Sequence, residues 1–129
     1  MSYLVQYATR RSSKRGPRVD ERIRLNLPDL YGDAYVRAFV EDTSGRKHRL
    51  RRVPPVPHLR LRIADCVNEI NLEFDVGSAP LRANSMFKID TLIGALQRFR
   101  DGLAAEAELY ALREVRAHSI VRKEDRCRT

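Results

Sequence analysis

The sequence predicts an α+β fold, with a mostly antiparallel sheet of five or six strands packed by one long C-terminal helix. Between residues 21 and 76, apolar and polar side chains alternate in short runs, which is the pattern of half-buried strands. After residue 85, apolar residues recur every three or four positions, which is the spacing of an amphipathic helix. Strands followed by a single helix indicate a sheet with one helical layer.

The length of 129 residues is typical of a single domain with one modest core. We divide residues 1–129 into a mobile basic loop (10–20), a strand-rich region (21–76), a long helix (85–116) and a polar tail (117–129). No apolar stretch has the character of a secretion signal or approaches the ~18 residues of a membrane span. We therefore expect a cytoplasmic protein that makes no membrane contact.

The individual strands follow from alternation and from the turns between them. Tyr3–Tyr7 is a short apolar run, and Ile23, Leu25 and Leu27 alternate with polar neighbours. Asp42 to Gly45 favours a hairpin turn, because Asp and Gly suit its backbone. The turn would lead from a strand at 34–41 into a basic strand at 46–53, which suits a sheet edge.

A second hairpin is predicted from two alternating runs, 58–63 and 69–76. Their polar faces would place Arg60 and Arg62 across from Glu69 and Glu73, which is a favourable cross-strand arrangement. This pairing is a simpler explanation of the carboxylates than a magnesium site, which would need converging oxygen ligands. We expect no metal site.

The helix is predicted to begin at a cap formed by Asn84 or Ser85. The 31 residues from Met86 to Arg116 would be about 46 Å long, which exceeds the diameter of a domain of this size. Either the helix breaks near Gly102 or its second half projects, and we favour projection into a partner or a second copy. The apolar residues of that half are the predicted partner-binding residues, namely Leu109, Leu112 and Val115.

Most enzyme classes leave no trace in this chain. It has neither of the glycine motifs that cradle phosphates, and its three histidines lack metal-binding spacing. Cys66 beside Asp65, with His58 nearby, is the only local candidate for a nucleophile and base, and we interpret Cys66 as a turn residue. We expect a protein that is not an enzyme, with no catalytic residues and no cofactor.

The basic residues are the strongest functional signal. The net charge is +8, and residues 1–62 carry 15 basic and 6 acidic side chains against 10 and 11 in residues 63–129. Arginine-rich segments can contact several phosphates at once, with release of counterions. We predict that they bind nucleic acid through Arg10, Arg11, Lys14, Arg15, Arg18, Arg22, Arg24, Arg37, Arg49, Arg51 and Arg52.

Nucleic-acid binding requires a particular arrangement of the basic segments, and a protein-interaction module is the alternative. The two most basic segments, 10–24 and 46–62, must share one surface if both contact one polyanion. The alternative is a protein-interaction module, such as an adaptor, a complex subunit or an immunity-type inhibitor. It would bind an acidic protein through the long helix and the basic face. A homodimer through the C-terminal helix is also left open.

Overall fold

The computed structural model describes residues 2–3, 16–30, 32–46 and 54–128. In chain order the elements are β1 (Ser2–Tyr3), β2 (Val19–Arg24), β3 (Ala34–Val40), β4 (Leu59–Asp65), β5 (Asn68–Leu72) and α1 (Ala79–Cys127). The fold is therefore α+β with one long C-terminal helix, as predicted. Two compact units are present, Met1–Ser85 and Met86–Thr129, and each is described by itself.

The sheet is antiparallel throughout, and each strand lies beside its neighbour in sequence. Four strands of five to seven residues, β2 to β5, build it. The predicted number of five or six strands is not matched, because β1 adds only two residues at the edge of β2. Residues 4–7 of the predicted first strand lie outside the described residues.

Both neighbours of β3 are described strands, β2 and β4. Every residue of β3 pairs with β4, and all but Ala34 also pair with β2. The turn itself is present, since the Ser44 amide donates to Asp42 Oδ1 at 2.9 Å and the Arg46 amide donates to the Thr43 carbonyl at 3.0 Å. The chain therefore turns as predicted, but β4 is the partner of β3. Residues 47–53 lie outside the described residues.

The hairpin of β4 and β5 has a two-residue turn, Cys66 and Val67. Cys66 has a φ of 53°, in the left-handed region of backbone conformation that residues other than glycine and asparagine rarely adopt. Its amide donates to the Asp33 carbonyl at 2.9 Å. This bond links the turn to the loop between β2 and β3.

Residues opposite each other in the register point to the same side of the sheet. One face is therefore mostly apolar, and the other carries the arginines. Val36, Ala38 and Val40 share the apolar face with Leu61 and Ile63. The smallest exposures within the described residues belong to Ala64, Arg37, Ala34, Phe39 and Ser85. The buried core of this unit is therefore small and contains polar groups.

The helix α1 begins six residues earlier than predicted, at Ala79. The Leu81 amide donates to Ser78 Oγ at 3.3 Å, so Ser78 is the cap. Pro80 lies in the first turn, where no helical hydrogen bond to its nitrogen is needed. Ser85 has a different role: its Oγ donates to the Asp75 carbonyl at 2.7 Å and accepts from the Asp75 amide at 2.9 Å.

The helix also ends later than predicted, at Cys127, and passes through Gly102 without a break. Its 49 residues correspond to about 74 Å. Most of the predicted polar tail, 117–129, is thus helical. Among the described residues no helix is both long and apolar enough to cross a membrane.

Candidate functional site

The polar face of the sheet carries the candidate site, and we call it the arginine face. Arg22 on β2, Arg37 on β3 and Arg62 on β4 stand directly opposite one another and form a row across three strands. Like charges in such positions repel each other, so each needs a compensating group. Within β2, β3 and β4, the aromatic and basic residues on this face are Arg22, Arg24, Tyr35, Arg37, Phe39, Arg60 and Arg62.

Each arginine of the row has a different compensating group. Arg37 Nη1 lies 2.9 Å from Asp20 Oδ1. Arg22 Cζ lies 4.1 Å from the centre of the Tyr35 ring, which is a cation–π contact, and its Nη2 is 3.8 Å from Asp33 Oδ2.

Arg62 is compensated from β5. Its Nε donates to Asn71 Oδ1 at 2.9 Å and lies 4.0 Å from Glu69 Oε2. The predicted pairing of Arg62 with Glu69 is therefore present. Glu69 also accepts a long hydrogen bond from the Tyr35 hydroxyl, at 3.4 Å. Glu69 is exposed and Arg62 is partly exposed, so solvent reaches the row at its β4–β5 end.

Burial separates the arginines that a ligand can reach from the one it cannot. Arg37, which was predicted to contact nucleic acid, is only 3% exposed. It occupies the central strand of the sheet, between β2 and β4. Arg22, Arg24, Arg60 and Arg62 remain at least partly exposed. Arg37 is therefore a structural residue of the face and is removed from the set of contact residues.

A groove of about 710 Å³ opens at the β2–β3 end of the arginine face. Its lining consists of strand residues and the loop between β2 and β3, namely Arg22, Arg24, Pro28, Asp29, Leu30, Gly32, Asp33 and Tyr35. The volume falls in the range of small-molecule sites. Two guanidinium groups and an aromatic ring are thus gathered beside two carboxylates.

Gly32 holds this loop in place. Its φ of 107° is rarely accessible to residues with a Cβ atom, and its carbonyl accepts a hydrogen bond from Asn26 Nδ2 at 3.0 Å. A Cβ atom here would lie 3.3 Å from Asn26 Nδ2 and 3.4 Å from Cys66 Sγ. The loop wall of the groove therefore depends on this glycine.

Arg24 is the most available cation of the groove. Its side chain is exposed, and no ion pair joins it to a carboxylate in the part of the chain that the structure describes. Tyr35 stands directly opposite it on β3. Arg22 and Arg24 are two residues apart on one strand, so both guanidinium groups point into the same groove.

Other predicted contact residues are distributed differently. Arg18 precedes β2 and is exposed, with its Nη2 3.3 Å from Asp42 Oδ1. Seven lie outside the described residues: Arg10, Arg11, Lys14, Arg15, Arg49, Arg51 and Arg52. The described parts of the two basic segments, in β2 and β4, do share one face.

Arg60, Arg62 and Tyr35 were not among the predicted contact residues. For Arg60 and Arg62 the sequence predicts pairing with carboxylates instead. Their alternation was visible, yet the strand order that aligns them with Arg22 was not. The groove was missed as well, although Gly32 and Asp33 mark a turn.

The predicted local candidate for a nucleophile and base is not assembled in the structure. His58 and Cys66 lie at opposite ends of β4, about 26 Å apart along an extended strand. They therefore cannot act as a nucleophile and base. Within the described residues no group of His, Cys, Asp or Glu is arranged to hold a metal ion, and both cysteines are free thiols.

The partner-binding residues predicted on the helix are all exposed. Leu109, Leu112 and Val115 lie on α1 with 38%, 55% and 64% of their surface accessible.

The comparisons with known proteins identify no family. No family model, curated protein or solved structure gives a significant match to this chain.

Proposed function

We propose that this chain is a small non-catalytic binding protein that contacts nucleic-acid phosphates through its arginine-rich segments. The observation that carries the proposal is the shared arginine face. Residues from both basic segments, Arg22 and Arg24 on β2 with Arg60 and Arg62 on β4, project from one side of the sheet. A single polyanion could therefore reach both segments.

The row of opposed arginines supports an anionic ligand. Across β2, β3 and β4 three guanidinium groups stand side by side, and each has a carboxylate within 4.0 Å. Arg24 lies on the same face, and within the described residues no ion pair joins it to a carboxylate. An arriving phosphate compensates the charge of Arg24 and accepts two hydrogen bonds from its guanidinium group. We expect the groove beside Arg22 and Arg24 to be the fixed contact.

The arrangement of Arg22 on Tyr35 supports a contact with fixed geometry. A guanidinium group stacked on a ring keeps its edge free for hydrogen bonds while its plane is held. Such a contact binds phosphate without reading the base, so binding would tolerate many sequences. The remaining affinity would come from Arg10, Arg11, Lys14, Arg15, Arg49, Arg51 and Arg52.

The test is the salt dependence of binding to a labelled single-stranded oligonucleotide, measured by fluorescence anisotropy. Affinity should fall steeply as salt rises, and the double variant Arg22→Gln/Arg24→Gln should reduce the slope of log K against log salt by about 0.7 for each lost phosphate contact. The matched control Arg113→Gln/Arg122→Gln removes the same charge from α1 and should leave the slope unchanged. Affinity that does not vary with salt would refute the proposal.

A second candidate is a module that binds an acidic protein, and the exposed apolar residues of α1 favour it. Leu109 and Leu112 would dock on the partner while arginines orient it. Leu109→Asp or Leu112→Asp should then abolish the complex and leave the protein folded. The absorbance ratio at 260 and 280 nm after a low-salt preparation separates the two candidates, because the chain has no tryptophan to mask bound nucleic acid.

A further inference from the structure

The second unit of the chain carries a stripe of mostly apolar residues whose spacing is symmetric about Leu103. Starting at Ile89, steps of three or four residues lead to Leu103 and on to Ala117. The steps are 3, 4, 3 and 4 before Leu103, and 4, 3, 4 and 3 after it. The stripe consists of Ile89, Leu92, Leu96, Phe99, Leu103, Ala107, Tyr110, Glu114 and Ala117.

These residues form one side of a continuous helix, since steps of three and four keep returning to the same face. The three central large ones are well exposed: Leu96 by 53%, Phe99 by 69% and Leu103 by 58%. A contiguous exposed apolar strip of this kind marks an interaction surface. The steps of three and four residues are also those of a helix that pairs with another helix.

We propose that α1 associates with α1 of a second copy of this chain in an antiparallel dimer centred on Leu103. In that arrangement residue i of one copy lies at the height of residue 206 minus i of the other. Every stripe position then meets a stripe position, because the spacing is symmetric about Leu103. The proposal concerns only α1 and is independent of the arginine face.

Side-chain size favours the antiparallel direction. The first half of the stripe is bulky, whereas Ala107 and Ala117 in the second half are small. Antiparallel pairing puts Phe99 beside Ala107 and Ile89 beside Ala117, so large residues fill the space that small ones leave. A parallel pair would set Phe99 against Phe99 and would leave a gap at each alanine.

Charge favours the same direction. Arg98 and Arg100 form a basic band before Leu103, and Glu106 and Glu108 form an acidic band at equal distances after it. In the antiparallel dimer each basic band lies at the height of the partner's acidic band. In a parallel dimer each band lies beside its own copy, and like charges repel. The attraction acts across the helix pair at a range near the Debye length.

Asp90 and Arg116 extend this symmetry, since each lies 13 residues from Leu103. Glu114 is the one charged residue within the stripe, and in the dimer it lies beside Leu92. A single charged position in a helix interface lowers stability but restricts which register can form. The stripe therefore specifies one alignment as well as one partner.

The direct test measures mass and orientation on the full chain. Light scattering after size exclusion should give the mass of a dimer. In a background with Cys66→Ser and Cys127→Ser, a tagged Ile89→Cys chain mixed with an Ala117→Cys chain should form a disulfide. Neither variant should crosslink to itself, because two copies of residue 89 would be about 42 Å apart along the axis, far beyond disulfide reach.

Substitutions supply the second readout. Phe99→Glu/Leu103→Glu should raise the dissociation constant at least a hundredfold. The matched control Ala105→Glu changes an exposed residue on the other side of the helix and should leave the dimer intact. A monomer at all concentrations, a higher oligomer, or self-crosslinking of Ile89→Cys would each overturn the proposal. The crosslinking readout holds even if the glutamate variants lose helix.

Discussion

Arg37 Nη1 on β3 lies 2.9 Å from Asp20 Oδ1 on β2, and the Arg37 side chain is only 4% exposed. A buried guanidinium group needs a counter-charge, because its removal from water costs several kcal/mol. Arg37 stands between Arg22 and Arg62 in the register, so Asp20 compensates the charge at the centre of the row. The ion pair is thus part of what allows the arginine face to exist.

Asp20→Asn should destabilise the sheet by about 3 kcal/mol, because it leaves a buried charge beside a neutral amide. Chemical unfolding followed by circular dichroism measures the effect. The control is Asp101→Asn, which removes a carboxylate 3.6 Å from Arg100, where both side chains are about four-fifths exposed. That exposed pair should contribute no more than a few tenths of a kcal/mol. Equal stability of Asp20→Asn and the natural chain would contradict this role.

Gly32→Ala should destabilise the protein by about 1–2 kcal/mol, since its backbone conformation is strained for any residue with a Cβ atom. Gly102→Ala should have the opposite effect and stabilise α1 by about 0.5–1 kcal/mol, because nothing lies within 4 Å of the added carbon. Unfolding curves of the two variants should therefore shift in opposite directions. A Gly32→Ala variant as stable as the natural chain would count against the geometry of the β2–β3 loop, and a destabilised Gly102→Ala variant would count against open space at Gly102.

Cys66 should accept asparagine and reject valine. Asparagine tolerates the left-handed backbone that Cys66 adopts, whereas a β-branched side chain does not. We expect Cys66→Asn to leave stability unchanged within about 0.5 kcal/mol and Cys66→Val to lower it by more than about 1 kcal/mol. Thermal unfolding measures both. A valine variant as stable as the asparagine variant would show that the turn is not left-handed.

Ser85→Ala should lower stability by about 1–3 kcal/mol, because it removes both hydrogen bonds between the hydroxyl and the backbone of Asp75. Ser119→Ala is the control on the same helix. Ser119 Oγ donates to the Val115 carbonyl at 3.0 Å on an exposed surface, and alanine is the better helix former. Ser119→Ala should therefore be neutral or slightly stabilising. Loss of stability in the control alone would reverse this assignment.

Substitutions of Tyr35 test whether its ring orients Arg22 for the proposed phosphate contact. Tyr35→Phe keeps the ring beneath Arg22, so oligonucleotide affinity should change by less than about twofold. Tyr35→Leu removes the cation–π contact, worth about 0.5–1 kcal/mol at a partly exposed site, and affinity should fall about two- to fivefold. Anisotropy titrations at one fixed salt concentration measure both. Equal losses in the two variants would show that the ring does not orient Arg22.

Local patterns in the sequence were sufficient to predict most of the sheet. Alternation located the strands at Val19–Arg24, Ala34–Val40 and Leu59–Asp65 within a few residues, and Asp42 marked a turn that is present. The turn was predicted to bring the next segment beside β3, whereas β2 and β4 are the neighbours of β3. A turn fixes where the chain reverses, but not whether the next segment or a later one takes the free edge.

The helix ends were wrong for a different reason. The predicted cap was Asn84 or Ser85, yet proline fits the first turn of a helix, so the helix includes Pro80 and Ser78 provides the cap. The polar sequence after Arg116 has no apolar stripe strong enough to predict a helix, although arginine, lysine and glutamate are good helix formers.

The candidate site could be predicted in outline. The sequence shows which residues are basic and which of them alternate along a strand. It does not show how deeply each side chain is buried, because alternation assigns Arg22 and Arg37 to a face without saying which one is covered. That depends on the order of the strands, which places β3 between two neighbours.

The order of the strands also has a consequence for how the chain folds. Each strand pairs with the strand next to it in sequence, and β4 and β5 are separated by only two residues. Contacts between near neighbours close short loops, which lowers the entropic barrier to folding. The hairpin of β4 and β5 is therefore the natural starting point, and β3 and β2 can add to it one at a time. During synthesis, however, β2 and β3 emerge first, so the nascent chain and the refolding chain meet their first partners in opposite order.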